Sequence, residues 1–391
     1  MRLLFCKWTN SSEYGIEQTF QKMGLSVTSL QHSFSNVSHA VESLHLLQAA
    51  LEKDRFDFLF SINFLPVVSK VCNIYHIPYI CWVMDSPCLT LYSDSIRNSC
   101  NHIFIFDYAL FESVAEYNPT GIHYFPLATC TDIWDAISLS EKDYEQYSCD
   151  VSFVGSLYNQ SSPYNSVEGL SPYTKGYLDG LIDAQLHVYG YHFLQDCLTP
   201  EIVQEFKACA DWQWYPDYRI DDAAVIENSY LSKRCAELER CQIAERLSSA
   251  FNFHLYTNSD VSGLQGVQNL GTVDYYDTMP RIFRCSSINL NITSKSIHTG
   301  LPLRIFDILG AGGFLLTNYQ EEIPNYFEIG TDLDIYESVD DLQDKINYYL
   351  KNPELRQEIA RNGQEKVRRE FTYLTALTRM LTVSLTPPDK H

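Results

Sequence analysis

The succession of apolar runs, polar turns and helical stretches predicts an α/β protein built as two doubly wound halves, the second carrying a helical insertion. Three observations predict it. The chain opens as strand, loop and helix, with Leu3 to Trp8, the polar turn TNSSEYG from Thr9 to Gly15, and Ile16 to Met23 in turn, which is how a doubly wound sheet begins. The same order restarts after residue 150, where Val151 to Leu157 (VSFVGSL) follows an acidic stretch. Ser287 to Tyr319 then reads as strand, polar loop, short helix, glycine turn and strand.

In the first half the helix His39 to Lys53 precedes the strand Phe56 to Ile62, a helix near Leu65 to Tyr75 and the buried run Tyr79 to Met84. Asp85-Ser86-Pro87 closes that run. A carboxylate just past the carboxyl end of a central strand sits where open α/β sheets bind ligands, so Asp85 is a candidate acceptor-side base or sugar-hydroxyl ligand, although a turn or cap role before Pro87 suits it equally. Asp107 ends the strand His102 to Phe106 in the same manner, and Ile122 to Phe125 carries His123, a candidate base or a half-exposed structural histidine. The first loop lacks G-x-G-x-x-G, so a dinucleotide fingerprint is absent. Thr131 to Tyr147, acidic and without strong period, reads as a linker.

The second half is longer. Between Tyr158 and Ser249, tyrosine-rich segments with helices at Tyr177 to Val188, Pro200 to Ala210 and Ala223 to Ala250 form an insertion too long for a simple crossover. Its aromatic residues, Tyr158, Tyr164, Tyr173, Tyr177, Tyr189, Tyr191, Trp212 and Trp214, suit either packing or stacking on sugar faces. Phe253 to Thr257 is a strand, Gly266 to Gly271 a short one, and Tyr275 to Cys285 a helix. After the key stretch come a helix near Ile323 to Glu328, the strand Asp334 to Tyr336, the helices Val339 to Leu350 and Pro353 to Glu370, and a final apolar helix within Thr372 to Leu385.

With 391 residues and 45% hydrophobic content the chain supports two domain cores. A formal charge of -21 removes any general electrostatic footprint for nucleic acid or an anionic membrane. Twelve cysteines without a C-x-x-C pair read as reduced, buried thiols, and Cys235 and Cys241 have no paired histidines for zinc. The start of the chain is too short and too charged for a signal peptide, and no run is long enough to span a membrane, so a cytoplasmic protein is expected.

The key stretch holds the donors. Thr293, Ser294, Lys295, Ser296 and Thr299 offer hydroxyls and one cation, Gly300 permits close backbone approach, and Pro302 starts the helix Leu303 to Leu309. A helix N-terminus behind such a loop favours phosphate. On that helix Arg304 and Asp307 share a face, suited to a diphosphate and to ribose hydroxyls, or to one another as a surface pair. Gly312 and Gly313, in the turn from Gly310, allow a strand and a helix to approach closely.

The order R-x-F-D-x-L-x-A-G-G-F-L-L-T-N from Arg304 to Asn318, with Tyr348-Tyr349-Leu350, Ile359-Ala360, Asn362-Gly363 and Phe371-Thr372-Tyr373 behind it, resembles the sugar-nucleotide domain of group-1-like glycosyltransferases. More narrowly it is similar to the bacterial spore-maturation (CgeB-like) family of GT-B enzymes. The resemblance covers most of residues 150 to 380 and, more loosely, the first 130. It implies an α/β GT-B fold of two Rossmann-like domains facing across a cleft. Residues 1–130 would form the acceptor-side domain, 131–149 the linker, 150–371 the sugar-nucleotide domain with its insertion at about 158–250, and 372–391 a helix and tail packing back on the first domain.

The implied activity is transfer of a sugar from a nucleoside diphosphate sugar, UDP-sugar first, to a protein or cell-surface glycan, with the sugar nucleotide as substrate, no cofactor and no metal. By the same resemblance Asp307 would meet the donor ribose, Arg304 and the loop before it the diphosphate, and Gly155-Ser156 would be the phosphate-side turn. The donor set is then Gly155, Ser156, Thr293, Lys295, Thr299, Gly300, Arg304, Asp307, Gly312 and Gly313, and the catalytic set Asp85, Arg304 and His123. Many retaining members of the wider group carry two glutamates eight positions apart, the second on this helix. Here those positions are Thr299 and Asp307, which leaves inversion and retention both open. A sugar-nucleotide epimerase and a non-catalytic carbohydrate-binding scaffold are the alternatives.

Overall fold

The computed structural model describes residues 1–8, 10–34, 39–160, 162–210 and 218–386. Thr9, Trp212 and Trp214 lie outside the described residues. Contacts divide the chain into two compact units: residues 1–130 with Tyr218, Arg219 and the chain from Glu370 onward, and the remainder.

The first unit is a six-stranded parallel sheet. Its strands are β1 (Arg2–Lys7), β2 (Ser26–Gln31), β3 (Phe58–Ile62), β4 (Tyr79–Val83), β5 (Asn101–Ile105) and β6 (Ile122–Tyr124), in the order β2-β1-β3-β4-β5-β6. All five residues of β3 and of β4 are buried, as a central strand covered on both faces requires. One face packs Leu59, Cys81 and Val83 against Val68 and Val71 of the helix Pro66–Tyr75. On the other, Phe60 meets Phe5 and Phe20 edge-on at 5.2 and 5.1 Å, each buried ring contributing about 2 kcal/mol. Trp82 meets Phe125 and Tyr373 edge-on, so the last helix, Tyr373–Leu385, belongs to this unit and packs on the helix Ser12–Lys22. Mutual backbone bonds between Thr129 and the Phe371–Tyr373 segment secure it, at 2.9 and 3.0 Å.

Strand β2 has no counterpart in the sequence reading. It is an edge strand of sequence SVTSLQ with no buried residue, so it carries no apolar run to announce it; pairing with β1 makes it a strand.

The second unit has five parallel strands, β7 (Val151–Val154), β8 (Phe253–Tyr256), β9 (Ile288–Asn291), β10 (Leu315–Asn318) and β11 (Asp334–Tyr336), in the order β11-β10-β9-β7-β8. One face is covered by Ile243 and Leu247 of the helix Ser232–Ala250 with Leu342, Ile346 and Ile359 from the later helices. The stretch expected as a linker is instead two helices, Thr131–Asp135 and Glu141–Tyr147, and both belong to this unit. Arg284 explains why: its guanidinium donates to the carbonyls of Trp134, Ile137 and Ala311 at 2.8, 2.8 and 2.7 Å. The expected strand at Gly266 to Gly271 reduces to one bridge, between Leu255 and Asn269.

The insertion has a small core of its own, in which Tyr164, Leu178, Ile182, Phe206, Ile226 and Leu231 are buried. Packing therefore accounts for Tyr164, which lies parallel to Phe206 at 6.5 Å, whereas Tyr173 and Tyr191 are exposed. All twelve cysteines are free thiols. Among the described residues no helix is long and apolar enough to cross a membrane.

Candidate functional site

Strand order locates the ligand-binding edge of an open α/β sheet, because the crevice opens outside the carboxyl ends of two neighbouring strands whose connections leave in opposite directions. In the second unit these strands are β7 and β9. The segments that leave them are Gly155 to Tyr158 and Ile292 to Pro302. Gly155, Ser156, Thr293, Lys295, Thr299 and Gly300 thus come together on one edge of one sheet.

Arg240, from the middle of the helix Ser232–Ala250, joins the two segments. It is 9% exposed and donates from Nη1 to the Ser156 carbonyl at 2.6 Å and from Nη2 to the Ile292 carbonyl. Its guanidinium lies 4.5 Å from the ring centre of Tyr158, which adopts a left-handed φ of 62°. Sequence reasoning missed this residue, because a charge inside a charged helix carries no mark of burial. Ser156 also accepts the Tyr158 amide at 3.0 Å, and Ser259 caps the Leu157 amide at 2.8 Å. These bonds shape the turn after β7.

The loop after β9 is equally determined. The Thr293 amide donates to Asn318 Oδ1 at 2.7 Å, and Asn291 Nδ2 bridges Thr293 Oγ1 and Thr317 Oγ1 at 3.0 and 2.9 Å. Gln320 Nε2 donates to the carbonyls of Ile297 and Gly300, while Thr299 Oγ1 donates to Glu322 Oε1 at 2.6 Å. Lys295 is only 3% exposed. Its ammonium stands 3.6 Å from Glu239, 3.4 Å from the Val188 carbonyl and 4.0 Å from the Tyr189 ring centre. The cation is therefore held inward, where burial and the Glu239 carboxylate push the Tyr189 phenol well above its usual range. Beside it His298 Nε2 lies 3.2 Å from both carboxylate oxygens of buried Glu227, and His192 stacks on His298 at 4.7 Å. Glu227 opens a one-turn π-helix of the insertion, a local bulge that often accompanies function.

Arg304 and Asp307 share a face of the helix Leu303–Ala311, as their spacing requires. Asp307 is 1% exposed and accepts Tyr275 Oη at 2.8 Å on one oxygen and Arg304 Nη1 at 3.2 Å on the other. Tyr275 adds a phenol that the sequence did not point to, and Arg304 also lies over the Phe283 ring. Gly312 and Gly313 are elsewhere: they precede β10, at the amino edge of the sheet. A Cβ on Gly313 would fall 2.5 Å from Asn289 Nδ2 and 2.7 Å from the Phe283 carbonyl, and Gly312, at φ 93°, caps the helix. Both glycines thus have packing reasons to be there.

In the first unit the crevice strands are β1 and β3. Asn63, just past β3, takes a left-handed φ of 58° and organises the next strand end. Its Oδ1 accepts the Met84 amide at 2.9 Å and its Nδ2 donates to Asp85 Oδ2 at 2.6 Å. Asp85 keeps access to solvent, yet the surrounding protein desolvates its carboxyl and raises its pKa, against the opposing bond from Asn63. Asp107 is buried and accepts Ser86 Oγ at 2.6 Å. His123 lies within β6, paired to Phe104 in register and stacked on its ring at 5.0 Å. It belongs to the body of the sheet rather than to the loops at its carboxyl edge, and burial depresses its pKa.

Residues 239–382 match the sequence model of the family described as Glycosyl transferase-like. An uncharacterized protein from Aquifex aeolicus (strain VF5) is 27% identical over 103 residues, a stretch spanning 26% of this chain and 26% of that protein. Among solved structures, a glycosyltransferase from Rickettsia africae ESF-5 superposes with a TM-score of 0.53 at 11% identity, covering 98% of this chain and 97% of that one. Sucrose-phosphate synthase from Thermosynechococcus elongatus gives 0.54 at 9% identity over 97% of each chain. Anabaena HepE in complex with UDP-glucose gives 0.51 at 11% identity over 97% of this chain and 98% of that one. The fold is the GT-B class of two Rossmann-like units.

Proposed function

We propose that this chain is a glycosyltransferase that takes a nucleoside diphosphate sugar, UDP-sugar first, on the carboxyl edge of the second unit's sheet and passes the sugar to a protein or cell-surface glycan. The observation that carries the reading is the edge itself: the segments after β7 and β9 are tied together by Arg240, and the matched stretch 239–382 contains that arginine, the loop and the Arg304–Asp307 pair. HepE, of the same fold, is bound to UDP-glucose. The narrower likeness to the spore-maturation family supports a surface acceptor.

In this reading the diphosphate gains charge as the glycosidic bond breaks, and donors aimed at it lower the barrier. Arg304, whose side chain is 26% exposed, is the accessible cation. Lys295 reaches a phosphate only by leaving Glu239. Asp307, being buried, acts by holding Arg304 and Tyr275 for the donor. Asp85, with its raised pKa, is the base that would accept the acceptor's hydroxyl proton in an inverting reaction. His123 is not assigned a chemical step.

Calorimetry against UDP, GDP, dTDP, CDP and their common sugars tests the reading, with Asp307→Ala as the comparison. Base-selective binding lost in the folded variant, and nucleotide release that needs an acceptor, are expected. Absence of binding to every nucleotide would overturn it in favour of a scaffold, and turnover without any acceptor would favour an epimerase.

A further inference from the structure

A second group of ligating side chains lies in the first unit, where β2 gives way to the helix Ala40–Lys53. One ligand atom each from His32, His39 and Glu42 lies within 4.8 Å of the other two. We infer that these residues form a binding site for one divalent transition-metal ion of the zinc type. The inference is independent of the proposed activity.

Position comes first. His32 stands directly after β2, and its amide donates to the Lys7 carbonyl at 3.0 Å, continuing the β1–β2 ladder by one bond. Phe34, 4% exposed, meets the His32 ring edge-on at 5.2 Å and limits its rotation. The imidazole is therefore placed before any ion arrives. His39 occupies the N-cap position without a side-chain capping bond, and Glu42 lies in the first turn, three residues on and so on the same face. The rings of His32 and His39 are 5.8 Å apart.

Chemistry comes second. His32 Nε2 is buried and has no hydrogen-bond partner among the described residues. A buried ring nitrogen without a partner is costly, and a metal would satisfy it. Two imidazoles and one carboxylate suit zinc and its neighbours, whereas magnesium and calcium prefer oxygen alone. Ligand atoms around a tetrahedral zinc stand about 3.3 Å apart. His39 and Glu42 are both exposed, so small side-chain rotations can close the set on His32. Three protein ligands leave a fourth position for water or a small ligand. The chain's charge of -21 draws cations toward it.

The test uses the full chain, without an affinity tag, stripped by a chelator and dialysed. Zinc is titrated by calorimetry and cobalt by visible absorption. One equivalent per chain is expected, with tetrahedral cobalt bands and no sulfur-to-metal charge-transfer band. His39→Ala and Glu42→Gln, both at exposed positions, should fold normally and weaken binding by about a hundredfold or more. His45→Ala, an exposed histidine of the same helix, should bind as the parent does. No saturable binding, a thiolate band that places the ion on cysteine, or equal binding by the parent, His39→Ala and Glu42→Gln would each overturn the inference.

Discussion

Arg240 Nη1 and the Ser156 carbonyl oxygen are 2.6 Å apart, and through this bond and its companion to Ile292 one helix sets the spacing of the two strand ends that open the second unit's crevice. Removing the guanidinium leaves two inward carbonyls without a donor and a gap beneath Tyr158. Arg240→Met should cost about 3 kcal/mol, from two charge-assisted bonds partly offset by apolar replacement. Urea denaturation measures the loss. Nucleotide affinity should fall more than stability does at temperatures where the variant is still folded, and an unchanged affinity would separate Arg240 from the site.

Gly313 offers the opposite test. Its missing Cβ faces the Asn289 amide and the Phe283 carbonyl, and backbone yields little. Gly313→Ala should destabilise by about 1–3 kcal/mol through overpacking, with the nucleotide affinity of the folded fraction unchanged. A selective loss of donor binding at full stability would return this glycine to the site.

Asp85→Asn keeps an amide oxygen for Asn63 Nδ2 and removes the base. Thermal stability should stay within about 0.5 kcal/mol, as for a change at an accessible position. If Asp85 takes the acceptor proton, kcat should drop by about a hundredfold or more while donor KM holds. Steady-state kinetics with saturating acceptor decides it.

His192 supplies a pH signature. Burial first, then the neighbouring His298 and Lys295, push its pKa down to about 3 from the ordinary 6.5. The folded chain therefore binds fewer protons than the unfolded chain between those values. Stability is fully present above pH 6.5 and falls as the solution is acidified toward pH 3, with a slope of up to about 1.4 kcal/mol per pH unit from this residue. His192→Phe retains a ring to stack on His298 and removes the titration. Thermal melts from pH 7 to pH 4.5 should show a shallower decline for the variant than for the parent, and superimposable slopes would refute the assignment.

The sequence by itself determined the class of the fold and the address of the main loop. Buried parallel strands are continuous apolar runs, so β3, β4, β9 and β10 declare themselves locally, and a helix start at Pro302 followed by Arg304 and Asp307 needs only the 3.6-residue period to put those two on one face. Position along a strand decided the rest. His123 and Asp85 are both near strand ends in the sequence, yet pairing places His123 beside Phe104 within the sheet and leaves Asp85 beyond it. Gly312 and Gly313 adjoin the motif in sequence but fall on the sheet's other edge, because the helix Leu303–Ala311 between the loop and them carries the chain back to where β10 begins. Strand β2, Arg240 and Asn63 owe their roles to partners 20 or more residues away, and no local pattern encodes such a partner. Only the tertiary structure decided these, since burial and hydrogen bonding depend on which chain segments meet.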